Sequence, residues 1–192
     1  MRGRWVAPDL ITPVLAAVAG LPATGVVLLD GPSGAGKSTL ADALVRCWPG
    51  ELQPTLVRLD DVYPGWGGLE AAVEQIRTRV LQPRRRGHPA AWQRYDWVRG
   101  RPAEWVGVDA EHPLIVEGCG ALAVEHAPLS DVRVWLGADE ALRKTRALNR
   151  DGDLFASHWD QWQRDWAVYL RRHTPEATAT LRLRAGVADS AV

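Results

Sequence analysis

The chain has 192 residues, of which 46% are hydrophobic, and its 23 basic residues balance 23 acidic ones. This length fits one α/β domain with an appended arm or lid, and the hydrophobic content excludes a disordered chain. Because the net charge is zero, bulk electrostatics argue against a duplex nucleic acid or a membrane surface as partner, and any phosphate chemistry must come from local clusters of charge.

The first predicted element is a short helix in the apolar stretch of residues 10–21. Two arginines precede this stretch, as in a signal peptide, but it carries helix signals: Thr12 as N-cap, Pro13 at the first helical position and Gly20 as C-cap. No apolar run is long enough to span a membrane. The two cysteines are too few for a disulfide framework or a zinc site, which favours reduced thiols and a cytoplasmic protein.

Strands and helices then alternate along a single domain, which predicts a parallel sheet covered by helices on both faces. The predicted strands are residues 26–30, 55–59, 114–117, 132–136 and 178–184. The predicted helices are residues 37–47, 69–81 and 139–150, followed by a helix that begins at a capping box of Ser157 and Asp160 and carries Trp159, Trp162, Trp166 and Tyr169 on one face. Residues 82–112 break the alternation with prolines and tryptophans and are predicted to form an irregular, substrate-facing arm.

A complete G-x-x-x-x-G-K-[ST] motif connects strand 26–30 to helix 37–47. In such a loop the glycines turn backbone N–H groups around phosphate oxygens, and the positive end of the following helix faces the anion. Lys37 would reach the β- and γ-phosphates as a point charge, and the Ser38 hydroxyl would ligate Mg²⁺. The predicted nucleotide-binding residues are Gly31, Ser33, Gly34, Ala35, Gly36, Lys37, Ser38 and Thr39.

Carboxylates follow two other predicted strands, at the edge of the sheet where such folds bind ligands. Glu117 could hold Mg²⁺ through water, or it could be a salt-bridged acid at a strand end. A carboxylate of the Asp60–Asp61 pair could accept the proton of an attacking hydroxyl, although two acids after a strand are also ordinary turn residues. Tyr63, just beyond the pair, could line the acceptor pocket.

Three arginines share one face of the predicted helix 139–150, because Arg143, Arg146 and Arg150 are spaced at i, i+3 and i+7. They are predicted to clamp the phosphates from a lid formed by residues 139–157, with a flexible turn at residues 151–153 that permits closure. A solvated basic face is the alternative interpretation.

The arm carries further candidates for substrate binding. Trp92 and Trp97 flank Arg94 and Tyr95. The aromatic side chains could stack a planar substrate, or they could pack the arm against the rest of the domain. Under the first interpretation, Arg94, Tyr95 and Trp97 contact the phosphoryl acceptor.

Five motifs resemble, in order, those of the uridine kinase group of P-loop kinases, which includes nicotinamide riboside kinase and phosphoribulokinase. They are the phosphate loop, Asp60-Asp61-Val62-Tyr63, Tyr95-Asp96-Trp97, Ile115-Val116-Glu117-Gly118 and Arg146-Ala-Leu-Asn-Arg150-Asp151. The resemblance implies an α/β P-loop NTPase fold with a five-stranded parallel sheet and a helical lid. It also implies that Asp60 is the catalytic base, that residues 95–97 line the acceptor pocket and that Arg146 and Arg150 belong to the lid.

The resemblance does not supply the acceptor. Pyrimidine nucleoside kinases of this group hold the ribose hydroxyls with an Asp-His-Pro-type stretch, whereas residues 64–69 here read Pro-Gly-Trp-Gly-Gly-Leu. The chain also resembles bacterial uridine-kinase-like ATP-binding proteins with an Asp-Asp-x-Tyr-Pro-Gly-Trp motif. We predict a kinase that uses ATP and Mg²⁺ to phosphorylate a hydroxyl of a small molecule, such as a nucleoside or a related metabolite. The alternative is a nucleotide-dependent switch, although residues 149–151 do not supply the Asn-Lys-x-Asp motif of a guanine-specific switch.

Overall fold

The computed structural model describes residues 6–186, except for the side chains of residues 150–155. Seven strands lie in this part of the chain: β1 Val26–Asp30, β2 Thr55–Arg58, β3 Ala90–Asp96, β4 Arg101–Val108, β5 Leu114–Glu117, β6 Val132–Ala138 and β7 Leu181–Ala185. Five of them form a parallel sheet in the spatial order β2–β5–β1–β6–β7, and β3 pairs with β4 as an antiparallel hairpin. The predicted five-stranded parallel sheet is therefore confirmed.

The helices are α1 Pro8–Val18, α2 Lys37–Arg46, α3 Leu69–Gln75, α4 Gln82–Arg85, α5 Glu140–His173 and α6 Pro175–Thr178. A π-helical segment, Ile76–Leu81, joins α3 to α4, so the predicted helix 69–81 continues beyond its expected end. A 3₁₀ turn, Leu59–Asp61, follows β2 directly. Short connections of this kind leave the carboxyl ends of the parallel strands open to a ligand.

Helices cover both faces of the sheet, as predicted. Because successive side chains of a strand point to opposite faces, β1 contributes to two apolar clusters. Val26 and Leu28 pack in a cluster with α3, the π-helical segment and α5, whereas Val27 and Leu29 pack in a cluster with α1 and α2. Every residue of β1 and β5 is buried, which explains why these strands are continuous apolar runs rather than alternating ones.

The N-terminal helix begins earlier than the sequence indicated. Its first residue is Pro8, with Ala7 as N-cap, and Pro13 lies inside the helix, so the prediction of Thr12 as N-cap is wrong. Pro8 suits the first helical position because the N–H group that proline lacks would have no intrahelical partner there. The buried Val14 anchors the helix to the sheet.

The prediction of an irregular arm at residues 82–112 is wrong, because most of this stretch forms α4 and the β3–β4 hairpin. Asp96 ends β3, and its carboxylate accepts hydrogen bonds from the N–H groups of Val98 and Arg99 in the turn. On the inner face of the hairpin, Trp92 is buried against the main core. Prolines and exposed polar residues masked the alternating pattern that predicts strands.

Residues 139–157, the predicted lid, lie almost wholly within the single helical segment α5, and we call the whole of α5 the lid. Because the segment is continuous, no separate helix begins at the predicted capping box of Ser157. Helix α5 is nevertheless not straight. A straight helix would separate the Cα atoms of Arg143 and Trp159 by about 24 Å. The Arg143 guanidinium instead lies 5.7 Å from the centroid of the Trp159 ring and donates a hydrogen bond to Oε1 of Gln163 at 3.2 Å. The segment therefore folds back on itself and has a first arm, which begins at residue 140, and a second arm, which ends at residue 173.

The second arm of the lid packs through the predicted aromatic face. Trp159, Trp162, Trp166 and Tyr169 are all buried, and Trp166 stacks on Trp135 of β6 with ring centroids 6.0 Å apart. These residues, which recur at helical spacing, therefore form the face of the helix that packs against the core. Across residues 6–186, no helix combines the length and hydropathy that a membrane span needs.

Candidate active site

The phosphate loop forms the turn between β1 and α2, at the carboxyl edge of the sheet. Gly31 has a φ angle of 149° and Gly34 a φ angle of 81°, both in the region that favours glycine. A Cβ atom on Gly31 would clash with the carbonyl oxygen of Leu136, and one on Gly34 would clash with that of Arg143. Both positions therefore require glycine, and the second contact places the first arm of the lid directly against the loop.

The loop opens into a cavity of about 1030 Å³, a volume that suits a nucleotide-sized ligand. Seven of the predicted nucleotide-binding residues line it, namely Ser33, Gly34, Ala35, Gly36, Lys37, Ser38 and Thr39. Asp60, Glu117, Cys119 and Arg146 line the same cavity. The structure thus brings residues from four separate parts of the sequence together around the loop.

Lys37 is the first residue of α2 and is only 7% exposed. Its ammonium group donates hydrogen bonds to the carbonyl oxygens of Gly31 at 2.8 Å and Pro32 at 3.1 Å. Burial works to lower the pKa of Lys37, but coulombic interactions with Cys119, when that thiol is ionised, and with the carboxylates of Glu117, Asp30 and Asp60 outweigh burial and raise the pKa above its ordinary value. Lys37 therefore carries a positive charge at neutral pH, which is what a phosphate ligand requires.

Glu117 ends β5 and is 2% exposed. Its carboxylate accepts a hydrogen bond from Nη1 of Arg58 at 3.3 Å, and it lies close enough to the Ser38 hydroxyl for that group to lower its pKa. Arg58 also pairs with Asp42 at 2.6 Å. Burial raises the pKa of Glu117, whereas the charge of Lys37 and the Ser38 hydroxyl oppose the rise. Glu117 is thus salt-bridged, as one interpretation of the sequence expected, and it also faces the cavity beside Ser38.

The two acids after β2 have different surroundings. Asp60 is exposed and lines the cavity with the phosphate loop. Asp61 is partly buried, and burial together with the charge of Asp60 raises its pKa.

Tyr63 does not lie where the sequence prediction put it: it is 2% exposed, and its hydroxyl donates to the carbonyl oxygen of Cys119 at 2.8 Å. In this structure Tyr63 packs in the core rather than lining an acceptor pocket.

An aromatic cluster beside Asp60 consists of Trp66, Tyr95, Trp97 and His158. The indole N–H of Trp97 donates to the carbonyl oxygen of Asp60 at 2.8 Å, and the Trp97 ring lies 4.9 Å from Trp66 and 5.4 Å from Tyr95. His158, from the second arm of the lid, stacks on Trp66 at 4.7 Å. All four side chains are partly exposed. The hairpin, the segment after β2 and the lid therefore meet beside Asp60.

The predicted arginines are not gathered in one place. Arg143 is 9% exposed and its guanidinium is held inside the lid rather than on the cavity wall, with its Nη1 lacking a hydrogen-bond partner within the described part of the chain. Arg146 lines the cavity and donates to the carbonyl oxygen of Gly186 at 3.4 Å. The side chain of Arg150 lies outside the described residues. Arg94 is ion-paired with Glu104 at 2.6 Å on the hairpin.

Sequence reasoning did not assign Asp30, the buried last residue of β1, to the site. One carboxylate oxygen accepts hydrogen bonds from the N–H groups of Gly31 at 2.6 Å and Gly120 at 3.2 Å, and the other accepts from the N–H of Leu122 at 2.8 Å and the hydroxyl of Tyr169 at 2.7 Å. Burial raises the pKa of Asp30, and the Tyr169 hydrogen bond opposes the rise. An acid that ends an apolar strand directly before a phosphate loop is the signal that could have indicated this role.

Two other contacts of the loop were also not predicted. Ser33 accepts a hydrogen bond from the indole N–H of Trp162 at 2.9 Å, which joins the second arm of the lid to the loop. The sulfur of Cys119 lies 3.5 Å from the Ser33 hydroxyl and 3.6 Å from the Lys37 ammonium. Trp162 was expected only to pack, and no local pattern indicates a partner 129 residues away.

No protein-family model matches the chain, and no curated protein matches it. In structure, the chain is similar to a possible uridine kinase from Bacillus stearothermophilus, with a TM-score of 0.65 and 19% identity over 91% of this chain and 97% of that one. It is also similar to a candidate fructose transport system kinase from Silicibacter sp. TM1040, with a TM-score of 0.54 and 20% identity over 95% of this chain and 100% of that one. These similarities confirm the predicted P-loop kinase fold and agree, at the level of the fold, with the resemblance to the uridine kinase group.

Proposed function

We propose that the protein is a kinase that transfers the γ-phosphoryl group of ATP to a hydroxyl of a small molecule, with Mg²⁺ as cofactor. The observation that carries the proposal is the shared cavity: a complete phosphate loop and two carboxylates from neighbouring strand ends, Asp60 and Glu117, line one space. Phosphoryl transfer needs this combination of an anion cradle, a metal-binding oxygen and a base for the acceptor.

The donor end is built from the loop and the lid. The backbone N–H groups of residues 33–38 would surround the phosphates, and Lys37 would exchange its bonds to the Gly31 and Pro32 carbonyls for bonds to phosphate oxygens. Arg146, on the cavity wall, would stabilise charge on the transferring group. These interactions strengthen as charge moves on to the leaving oxygen, so they favour the transition state.

The oxygen ligands beside the loop fit Mg²⁺. The Ser38 hydroxyl and the buried Glu117 carboxylate line the same cavity, and hard oxygen ligands of this kind suit magnesium. Across the described residues, no group of three or more His, Cys, Asp or Glu side chains is arranged to hold a metal. A magnesium ion with one or two protein ligands, and with phosphate and water as the others, is the arrangement typical of kinases. When bound, it would neutralise negative charge on the phosphates.

In the proposed mechanism, Asp60 acts as the base. In the proposed reaction the acceptor oxygen bonds to the γ-phosphorus, the bond from that phosphorus to the β-phosphate oxygen breaks, and ADP leaves. The proton of the acceptor hydroxyl passes to the Asp60 carboxylate. Asp60 is exposed in the cavity, whereas Asp61 is partly buried with a raised pKa, so the first acid is the better candidate.

The aromatic cluster beside Asp60 supports a ring-shaped acceptor. Trp97 is fixed to the Asp60 backbone, and Trp66 and Tyr95 contact Trp97. Partly exposed aromatic faces stack on planar rings and pack against the C–H face of sugars. A nucleoside or a related hydroxylated metabolite fits this surface, and Arg94, next to Tyr95 in β3, is a further candidate contact.

The experiment is a screen of ATP consumption, measured as ADP release with nucleosides, sugars and vitamins as acceptors. We expect one class to stimulate ADP release in wild-type protein and not in Asp60→Asn. Phosphorylated acceptor, identified by mass spectrometry, would establish the reaction. If Mg-ATP binds but no acceptor is phosphorylated and a macromolecular partner binds only the ATP-loaded form, the protein is instead a nucleotide-dependent switch.

A further inference from the structure

We propose that Trp162, in the second arm of the lid, is a positioning residue that orients the Ser33 hydroxyl as a hydrogen-bond donor to the phosphates of the donor nucleotide. This inference rests on the proposed function, because it concerns the phosphates that the loop would hold. The indole N–H group of Trp162 donates to Oγ of Ser33 at 2.9 Å. Ser33 is partly exposed on the cavity wall, whereas Trp162 is 4% exposed, so Trp162 acts through Ser33.

The chemistry of the neighbouring groups fixes the direction of each hydrogen bond around Ser33. An indole N–H group can only donate, so the Ser33 oxygen is the acceptor from Trp162. Burial raises the pKa of the Cys119 thiol, which is therefore protonated at neutral pH and donates to the carbonyl oxygen of Gly31 at 3.3 Å. The Cys119 sulfur is then an acceptor, and the single hydrogen of the Ser33 hydroxyl is directed to it at 3.5 Å.

Two donors of the phosphate loop converge on this one sulfur. The Lys37 ammonium lies 3.6 Å from the Cys119 sulfur, close to the distance of the Ser33 hydroxyl. A thiol sulfur is a weak acceptor, whereas a charged phosphate oxygen forms shorter and stronger hydrogen bonds. A phosphate held by Lys37 would therefore lie beside the Ser33 hydroxyl, which would exchange the sulfur for a phosphate oxygen. The hydrogen bond that Ser33 accepts from Trp162 polarises the hydroxyl and strengthens this donation.

The lid holds the indole in place. The Trp162 ring packs edge-on against the buried Tyr63 ring, with centroids 5.0 Å apart. The first arm of the lid contacts the next residue of the loop, because a Cβ atom on Gly34 would clash with the carbonyl oxygen of Arg143. A serine hydroxyl rotates to suit its partners, so a fixed donor on one side of it sets its orientation before the nucleotide arrives. The donor site is thus fully preorganised only while the second arm is docked on the loop.

The test is a double-mutant cycle of Trp162→Phe and Ser33→Ala, in which calorimetry measures the binding of Mg-ATP. Ser33→Ala removes a hydrogen bond to a charged phosphate and should weaken binding by about tenfold or more. Trp162→Phe keeps an aromatic ring but removes the N–H donor, and it should weaken binding by about threefold or more. In protein that already carries Ser33→Ala, adding Trp162→Phe should change the affinity by less than about twofold, because the group through which Trp162 acts is gone.

Trp166→Phe is the matched control. It is the same substitution one helical turn later on the same buried face, where the ring stacks on Trp135 at 6.0 Å. Its Mg-ATP affinity should stay within about twofold of wild type even if the protein is less stable. Thermal unfolding without nucleotide checks the hydrogen bond itself: Trp162→Phe should lower the melting temperature less in Ser33→Ala protein than in wild type, because Ser33→Ala has already left the buried N–H group without its acceptor.

A second variant covers the case in which the smaller phenylalanine ring disturbs folding. Benzothienylalanine, incorporated at position 162, has the shape of tryptophan with sulfur in place of the N–H group, and it should weaken Mg-ATP binding as Trp162→Phe does. Unchanged affinity in these variants, or an equal loss with and without Ser33→Ala, would overturn the inference and leave the proposed function intact, since Trp162 would then only pack the lid. Wild-type protein that did not bind Mg-ATP would overturn the proposed function and this inference with it.

Discussion

The buried hydrogen bond between Tyr169 and Asp30 offers a quantitative test of how the lid is fixed to the sheet. Tyr169→Phe removes a hydroxyl that donates to the Asp30 carboxylate at 2.7 Å, and both residues are fully buried. A hydrogen bond to a charged partner contributes about 1.5–3 kcal/mol to stability. At about 2–4 °C per kcal/mol for a chain of this size, a loss of about 2 kcal/mol lowers the melting temperature by roughly 4–8 °C. Thermal unfolding followed by circular dichroism measures this shift.

Tyr63→Phe is the matched control, because its hydroxyl is equally buried but donates to a neutral carbonyl, that of Cys119, at 2.8 Å. This substitution should lower the free energy of unfolding by only about 0.5–1.5 kcal/mol.

The two variants should also differ in the pH dependence of this loss of stability. The Tyr169 hydroxyl stabilises the charged form of Asp30 and so opposes the rise of its pKa. Its removal raises that pKa further, so the cost of Tyr169→Phe is small where Asp30 is protonated and grows as the pH rises through the pKa of Asp30. A cost equal to that of Tyr63→Phe, or one that is constant with pH, would refute the assignment of a carboxylate acceptor.

Three further predictions concern turnover in the proposed kinase reaction. Lys37→Ala should lower kcat by about 10²-fold or more in protein that still folds, and near-normal turnover would contradict the role of the loop. Asp60→Asn should abolish turnover while sparing ATP affinity, with Asp61→Asn milder; reversed severities in the same assay would assign the base to the second acid. Arg146→Ala should lower kcat by about 10²-fold with little change in the KM for ATP, whereas Arg164→Ala, exposed on the second arm, should behave as wild type. Equal kcat values for the two arginine variants would show that Arg146 takes no part in the transition state.

Most of the parallel sheet could be predicted because its signals are local. β1 and β5 are buried on both faces, so their sequences are apolar throughout, and the 3.6-residue spacing of the aromatic residues at 159–169 marks a packed helix face. The failures lie where tertiary contacts decide the conformation. The hairpin strands carry exposed polar residues that weaken the alternation, and the Arg143 side chain, which was predicted to clamp phosphates, instead contacts Trp159 and Gln163 in the second arm.

The candidate site likewise has residues that could be predicted from the sequence and residues that could not. The phosphate loop, Asp60 and Glu117 could be found because the chemistry requires particular residue types next to strand ends, and strand ends are visible in the sequence. The lid side chains that contact the phosphate loop and the residue before it could not be predicted from the sequence. Tyr169 and Trp162 reach Asp30 and Ser33 across 139 and 129 residues of sequence, and such pairings depend on how the lid packs. For the same reason, the burial of Tyr63 was missed.

Several of the ten tryptophans of the chain lie in the lid or contact it, and their use there has a physical explanation. A lid that packs over a phosphate loop needs a large apolar surface, but the loop and the residues beside it are polar. Tryptophan supplies both, because its ring buries apolar area while its N–H group remains a donor. Trp162 donates to Ser33 at the donor end, and Trp97 donates to the Asp60 carbonyl at the acceptor end. His158, on the same arm as Trp162, stacks on Trp66 of the aromatic cluster. The second arm therefore contacts both ends of the cavity, so a substitution that loosens it should affect donor and acceptor binding together.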